Sequence, residues 1–269
     1  MNETLAILGG GKIGEALLAG LLRSGRSADD IVVAEKHADR AAYLSDTHDV
    51  RTVPVAVALG TARTIVLAVK PQDVDSLLTE MRAGITDQHL IVSVVAGVPT
   101  ARIEKALGAV DVAVVRCMPN TPALVAEAIT AIAPGAHAAA ADLDLAEELL
   151  APVGRVVRVP ESQLDAVTAI SGSGPAYFYF LVEAMIEAGI LLGLPRTLAA
   201  ELVVQTAVGS AVMLRDSGEH PVQLREAVTS PGGTTIAAIR ELEVHGVRAA
   251  VIAAIEAASR RSEELGKRS

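Results

Sequence analysis

The chain has 269 residues, enough to bury a large core and to divide into two domains. Hydrophobic residues make up 51% and aromatic ones only 2%, so that core must be built from Ala, Val, Leu and Ile. Twenty-three basic against 32 acidic residues leave a formal charge of −9, which argues against nucleic acid or an anionic membrane surface as the main partner.

The one cysteine, Cys117, leaves no internal disulfide and suits a reducing cytoplasm. Met1-Asn2-Glu3-Thr4 enters an apolar strand without a basic segment, so no signal peptide is expected. The longest apolar run, Ala176 to Leu194, is interrupted by Glu183, Glu187 and Gly189. It predicts a helix buried on most sides, in a core or a subunit interface, rather than a membrane span.

In chain order, Leu5-Ala6-Ile7-Leu8 is a short apolar strand. Gly9-Gly10-Gly11-Lys12-Ile13-Gly14 follows and fits G-x-G-x-x-G. An amphipathic helix carrying Leu17, Leu18, Leu21 and Leu22 comes next, then a second strand at Ile31 to Ala34. Strand, glycine turn, helix and strand together make a dinucleotide-binding fingerprint. In it Gly9 makes the turn, Gly11 lets a pyrophosphate approach, and Gly14 packs helix on strand. Past the second strand, Glu35 suits a ribose 2′-hydroxyl, whereas Lys36 and Arg40 suit a 2′-phosphate. Plain surface charge explains each of the three equally well, so NADPH and NADH both stay open.

Further strands are predicted at Thr64 to Val69, Leu90 to Val95, Val112 to Val115, Ala128 to Ala133 and Arg155 to Val159. Helices are predicted after Pro71 and over Ala138 to Leu150. Continuous apolar runs of this kind suit a parallel sheet covered on both faces. Three strand ends, at Lys70-Pro71, Ala96-Gly97-Val98-Pro99 and Arg116 to Pro122, then lie on the edge where open α/β sheets bind ligands. Lys70 offers positive charge to a cofactor or simply sits in water. Asn120 and Thr121 polarise a ring or stiffen a turn. Cys117 reads as a buried filler rather than a nucleophile.

After Pro160 the strand signal ends and only helical periodicity remains. Ser171-Gly172-Ser173-Gly174-Pro175 opens a long helix on which Tyr177, Phe178, Tyr179 and Phe180 follow in a row. Consecutive residues sweep all sides of a helix, so a second helix or a partner subunit must cover some of them. Helices are expected over Arg196 to Arg215, Pro221 to Val228, Ile236 to Glu243 and Val247 to Leu265. Thr229-Ser230-Pro231-Gly232-Gly233-Thr234-Thr235 stands just before the third of these. Free N–H groups, two hydroxyls and a positive helix end converge there, which suits a small carboxylate or phosphate as well as a capped turn. The predicted fold is α/β. A Rossmann-type dinucleotide-binding domain over 1–160 precedes an all-α dimerisation and substrate domain over 161–269.

Several stretches resemble the pyrroline-5-carboxylate reductase family over nearly the whole chain. They are Gly9 to Ala16, Ala68-Val69-Lys70-Pro71, Ala96-Gly97-Val98, Met118 to Ala123, Ser171 to Tyr177 and Ser230-Pro231-Gly232-Gly233-Thr234-Thr235. The resemblance implies hydride transfer from NADPH or NADH to the C=N carbon of 1-pyrroline-5-carboxylate, giving L-proline. It also implies a homodimer with interleaved helices, with rings of dimers common, and a cytoplasmic enzyme without a metal. By resemblance Ser230, Gly232, Gly233, Thr234 and Thr235 hold the substrate carboxylate, with Thr235 at the ring nitrogen as the catalytic hydroxyl. Glu161 matches an acidic position near the substrate. Gly9, Gly10, Gly11, Lys12, Ile13, Gly14, Glu35, Lys36, Ala68, Val69, Lys70, Pro71, Ala96, Gly97 and Asn120 make up the cofactor side.

Two departures weaken the transfer of cofactor contacts: Ala227 and Val55-Ala56-Val57 stand where relatives often carry Asn. A β-hydroxyacid dehydrogenase shares the domain plan but needs a lysine on a helix of its second domain. The only lysine after Lys105 is Lys267. A reductase of another cyclic imine is a closer alternative. A nucleotide-binding regulator without turnover would not need the Ser230 to Thr235 segment.

Overall fold

The computed structural model describes residues 4–268; Met1 to Glu3 and Ser269 lie outside it, as do the side chains of Lys267 and Arg268. The described residues form two compact units, one running to Ser173 and taking in the stretch from Ala258, the other Gly174–Ala257.

The first unit is built on eight strands: β1 (Leu5–Leu8), β2 (Ile31–Ala34), β3 (Arg51–Thr52), β4 (Thr64–Leu67), β5 (Leu90–Ser93), β6 (Ala113–Met118), β7 (Ala128–Pro134) and β8 (Gly154–Arg158). They lie in the order β3-β2-β1-β4-β5-β6-β7-β8, and the order reverses between β1 and β4. Every pairing is parallel except β6 with β7. Side chains alternate across a strand, so Leu5 and Ile7 enter one apolar layer and Ala6 and Leu8 the other. The first layer is closed by α1 (Lys12–Arg23), α2 (Ala38–His48) and α6 (Ala140–Leu150). The second is closed by α3 (Val55–Thr61), α4 (Val74–Met81) and α5 (Thr100–Leu107).

Beyond β8, α7 (Leu164–Val167) seats the buried Leu164 against Ala131 and Ala133 of β7, and a π turn follows at Thr168–Gly172.

The second unit contains only helices: α8 (Gly174–Leu191), α9 (Arg196–Asp216), α10 (Pro221–Ala227), α11 (Thr234–Val244) and most of α12 (Val247–Arg268). Gly189 of α8 lets α9 approach closely: a Cβ there would stand 3.0 Å from that of Ala199. Of the two places predicted for this helix, a core of its own chain is excluded, which leaves the subunit interface. Gly174 is the buried residue of α8, while Phe178 is 67% exposed, Phe180 74% and Leu191 88%. A helix needs two or more packed neighbours to hide an all-round apolar surface, and α9 covers one side only. By length and composition alone, Glu161–Leu191 and Arg196–Asp216 are apolar enough to cross a membrane.

Candidate active site

The glycine loop lies at the switch point of the sheet, between the ends of β1 and β4. Gly9 turns with φ +107°, and its N–H donates to the Ala34 carbonyl at 2.8 Å. A Cβ on Gly9 would meet the Ala68 carbonyl carbon at 2.7 Å, whereas one on Gly11 would meet nothing within 4 Å. The chain therefore leaves Gly11 open. Gly11 also precedes α1 without a side-chain cap, so the first N–H groups of that helix are free for an anion. The cavity beside the loop has a volume of about 690 Å³ and is lined by Gly9, Gly11, Glu35, Lys36, Arg40 and Lys70, among others. Its size suits a small-molecule or cofactor half-site.

The charged residues at the cavity rim are already bonded. Glu35 accepts from the Gly10 N–H at 2.8 Å and from the His37 N–H at 2.9 Å, so its carboxylate holds the loop. Arg40 donates from Nε to the Gly10 carbonyl at 2.6 Å and from its guanidinium to Glu15 at 2.5 Å, and it lies over the Tyr43 ring. Lys36 donates to Asp73 at 2.6 Å, joining the chain after β2 to the chain after β4. Glu35 and Arg40 are therefore tied to the glycine loop, while Lys36 stays largely exposed in a surface ion pair. Asp73 was invisible to a local reading, because nothing in the sequence pairs it with a lysine 37 positions away.

Burial raises the Glu15 carboxyl, but the bonds from Arg40 and His48 outweigh that effect and hold it below its ordinary value. A depressed carboxylate stabilises the fold above its unfolded pKa of about 4.3 and loses that contribution as pH falls through its lower folded value. The stability gap between the parent and Glu15→Gln should be full at pH 7 and close below about pH 4. Urea denaturation at each pH measures it, and a gap constant from pH 7 to 3 would reject the linkage.

The remaining strand ends are held less openly. Ala68 and Val69 line the cavity beside the glycine loop. Ala96 is exposed, Gly97 turns with φ +73°, and Val98 is buried. Asn120 donates to the Ser171 carbonyl at 3.2 Å and accepts from the Ile129 N–H at 3.1 Å, so both ends of its amide tie the β6–β7 turn. Glu161 is bonded to protein on both carboxylate oxygens. It accepts from the Thr100 N–H at 2.8 Å and hydroxyl at 2.7 Å, and from Arg116 at 3.1 Å. It thereby caps α5 and neutralises a nearly buried arginine. Arg116 went unnoticed because its partner lies 45 positions on. Cys117 is buried and its thiol is pushed up by desolvation, which agrees with a filler.

In the second unit, Gly233 donates to the Ser230 carbonyl at 3.1 Å and Gly232 turns with φ +70°. Thr229 anchors the turn through its hydroxyl, which donates to the Arg225 carbonyl at 2.6 Å. α11 starts at Thr234 with Gly233 as an N-cap that has no side chain to offer. The turn therefore presents free N–H groups and the hydroxyls of Ser230, Thr234 and Thr235 at a positive helix end.

A family model described as pyrroline-5-carboxylate reductase dimerisation matches residues 161–265. A second, described as NADP oxidoreductase coenzyme F420-dependent, matches residues 4–97. The pyrroline-5-carboxylate reductase of Mycobacterium tuberculosis is 48% identical, over 97% of this chain and 96% of its own. The chain belongs to the pyrroline-5-carboxylate reductase family. That of Synechocystis is 45% identical over the full length of both chains. Among solved structures, a pyrroline-5-carboxylate reductase from Coxiella burnetii has a TM-score of 0.91 at 35% identity, covering 98% of this chain and 99% of its own. The Plasmodium falciparum pyrroline carboxylate reductase with NADP bound has a TM-score of 0.88 at 28% identity, covering 98% of each chain.

Proposed function

We propose that this protein reduces 1-pyrroline-5-carboxylate to L-proline with NADPH or NADH in the cytoplasm, as a homodimer. The observation that carries it is the pairing, in one chain, of an open glycine loop with an uncapped Gly-Gly-Thr-Thr helix start. Full-length relatives named for this activity support it.

A reduced nicotinamide, when bound, supplies the hydride. Gly9 to Gly14 would hold its pyrophosphate at the start of α1, with Lys12 and Ile13 contributing N–H groups. Lys36, on the cavity rim, would take the adenosine side, and Ala68, Val69, Lys70, Pro71, Ala96 and Gly97 would line the rest of the cofactor's path along the sheet edge. Glu35 and Asn120 act by holding backbone in place, since their polar atoms are taken by protein partners. Glu161 acts in the same way through α5 rather than on the substrate.

Ser230, Gly232, Gly233, Thr234 and Thr235 orient the substrate through its carboxylate. The imine carbon accepts hydride once the nitrogen is protonated, so a donor to nitrogen is needed. Thr235 places a hydroxyl on the first turn of α11 and is the group assigned to that nitrogen. One hydride and one proton convert C=N to CH–NH.

Purified protein should consume NADPH or NADH only when pyrroline-5-carboxylate is added; binding of cofactor without that loss of absorbance would overturn the function. Thr235→Ala should lower kcat by about tenfold or more while leaving the cofactor KM within twofold. An equal change in both would remove Thr235 from the chemistry.

A further inference from the structure

The end of α12 returns to the first unit and lies on the loop that follows β5. Ser262 is 6% exposed, and its hydroxyl donates to the Asp165 carboxylate at 2.6 Å, across 97 positions of sequence. Asp165 is set on a firm base, because its neighbour Leu164 is fully buried against the β7 face. Three residues beyond Ser262, the Cβ of Leu265 stands 3.6 Å from where a side chain on Gly97 would begin. Gly266 faces the Gly97 carbonyl at a comparable distance, 3.9 Å from where its own Cβ would be. The far end of the same loop is gripped by Glu161 through both polar groups of Thr100. The segment Ala96 to Pro99 thus has α12 beside it at Gly97, where φ is +73°, and the Glu161 bonds just past its far end.

We propose that the last turns of α12 are a positioning element for the nicotinamide half of the cofactor site, with Ser262 and Asp165 as the positioning pair. The cavity beside the glycine loop takes in the ends of β1, β2 and β4. A dinucleotide straddles the switch point, so its other half must lie along the β5 side of the same carboxyl edge. That is where Ala96 to Pro99 stand. An unsupported glycine loop samples many conformations, and each wrong one lowers the fraction able to bind. The contact from α12 removes that loss before the cofactor arrives.

The inference rests on the proposed use of NADPH or NADH, and its test separates the two. Cofactor Kd is read by nicotinamide fluorescence, independently of turnover, for the parent, Ser262→Ala, Asp165→Ala and Asp165→Asn. Asparagine still accepts from Ser262, so Asp165→Asn should stay within twofold of the parent. The two alanine variants should raise Kd by about three- to tenfold, the equilibrium worth of one hydrogen bond. The KM for pyrroline-5-carboxylate should stay within twofold. Amide exchange should quicken in the peptide covering residues 94–100 and not in β1. If Ser262→Ala fails to fold, Ser262→Cys, which keeps the volume and weakens the donor, should show the same rise.

An unchanged Kd in the alanine variants would overturn the clamp. So would a rise in Kd for Asp165→Asn as large as for Asp165→Ala, or Kd and KM rising together with faster exchange across the sheet. A parent that binds cofactor but reduces nothing removes the reductase activity and leaves the clamp to the Kd comparison. A parent that binds neither nucleotide removes both.

Discussion

Gly9→Ala should cost the fold about 2–6 kcal/mol, whereas Gly11→Ala should fold normally and bind NADPH or NADH about tenfold or more weakly. The two glycines lie two residues apart in one motif, and their surroundings are opposite. Gly9 has φ +107°, where an L side chain is strained, and a Cβ there would press on the Ala68 backbone at 2.7 Å. Strain of about 1–3 kcal/mol adds to overpacking of similar size, because backbone in the centre of a sheet cannot step aside. At Gly11 a new methyl meets no protein atom. It meets the ligand instead, because Gly11 stands at the uncapped start of α1. Thermal denaturation and a fluorescence titration on both variants separate the two effects. Gly11→Ala binding as tightly as the parent would move the pyrophosphate off this loop. Gly9→Ala melting like the parent would mean that the turn relaxes at no cost.

Phe180→Asp should convert the oligomer to monomers at concentrations where the parent is assembled. Phe180 is 74% exposed in a single chain, on a helix where Phe178, Tyr179, Leu181 and Leu191 are also exposed. Burying one such phenylalanine in a subunit interface contributes about 1.5–3 kcal/mol, and an unpaired carboxylate in its place adds a desolvation penalty. About 3 kcal/mol or more is at least two decades in the dimer constant. The match to the dimerisation family over residues 161–265 makes a second copy the expected cover. Sedimentation velocity from nanomolar to micromolar protein reads the result, and an unchanged oligomer would place the interface elsewhere. Partition of the parent into detergent or lipid vesicles would instead assign the apolar helices to a membrane.

Much of the architecture was legible along the chain because it rests on local patterns. The strands over Leu5–Leu8 and Ile31–Ala34 are short continuous apolar runs between turn residues, and both appear with the predicted ends. β4 and β5 stop at Leu67 and Ser93, short of Val69 and Val95, because the chain turns away once the ladder partner ends. β3 is two exposed residues long, too short for any periodicity to mark it. The antiparallel β7 was also hidden, since a strand's direction depends on its partner and leaves no trace in its own residues. Of the proposed site, the glycine loop and the Ser230 to Thr235 turn were legible because glycine, proline and threonine act through their own backbone.

Sequence alone therefore determined the α/β-then-α plan, the glycine fingerprint, the Ser230 to Thr235 turn and the family resemblance, all carried by residues within a few positions of one another. Tertiary structure alone decided which protein groups Glu35, Lys36, Arg40, Asn120 and Glu161 bond to. Each reads in sequence as a polar group free for a ligand, and each is bonded to protein across 25 to 61 positions. It also decided that Ser262 meets Asp165. The physical reason is that a side chain's chemistry is written in its identity, while its availability depends on which donors and acceptors the fold brings within hydrogen-bond distance of it.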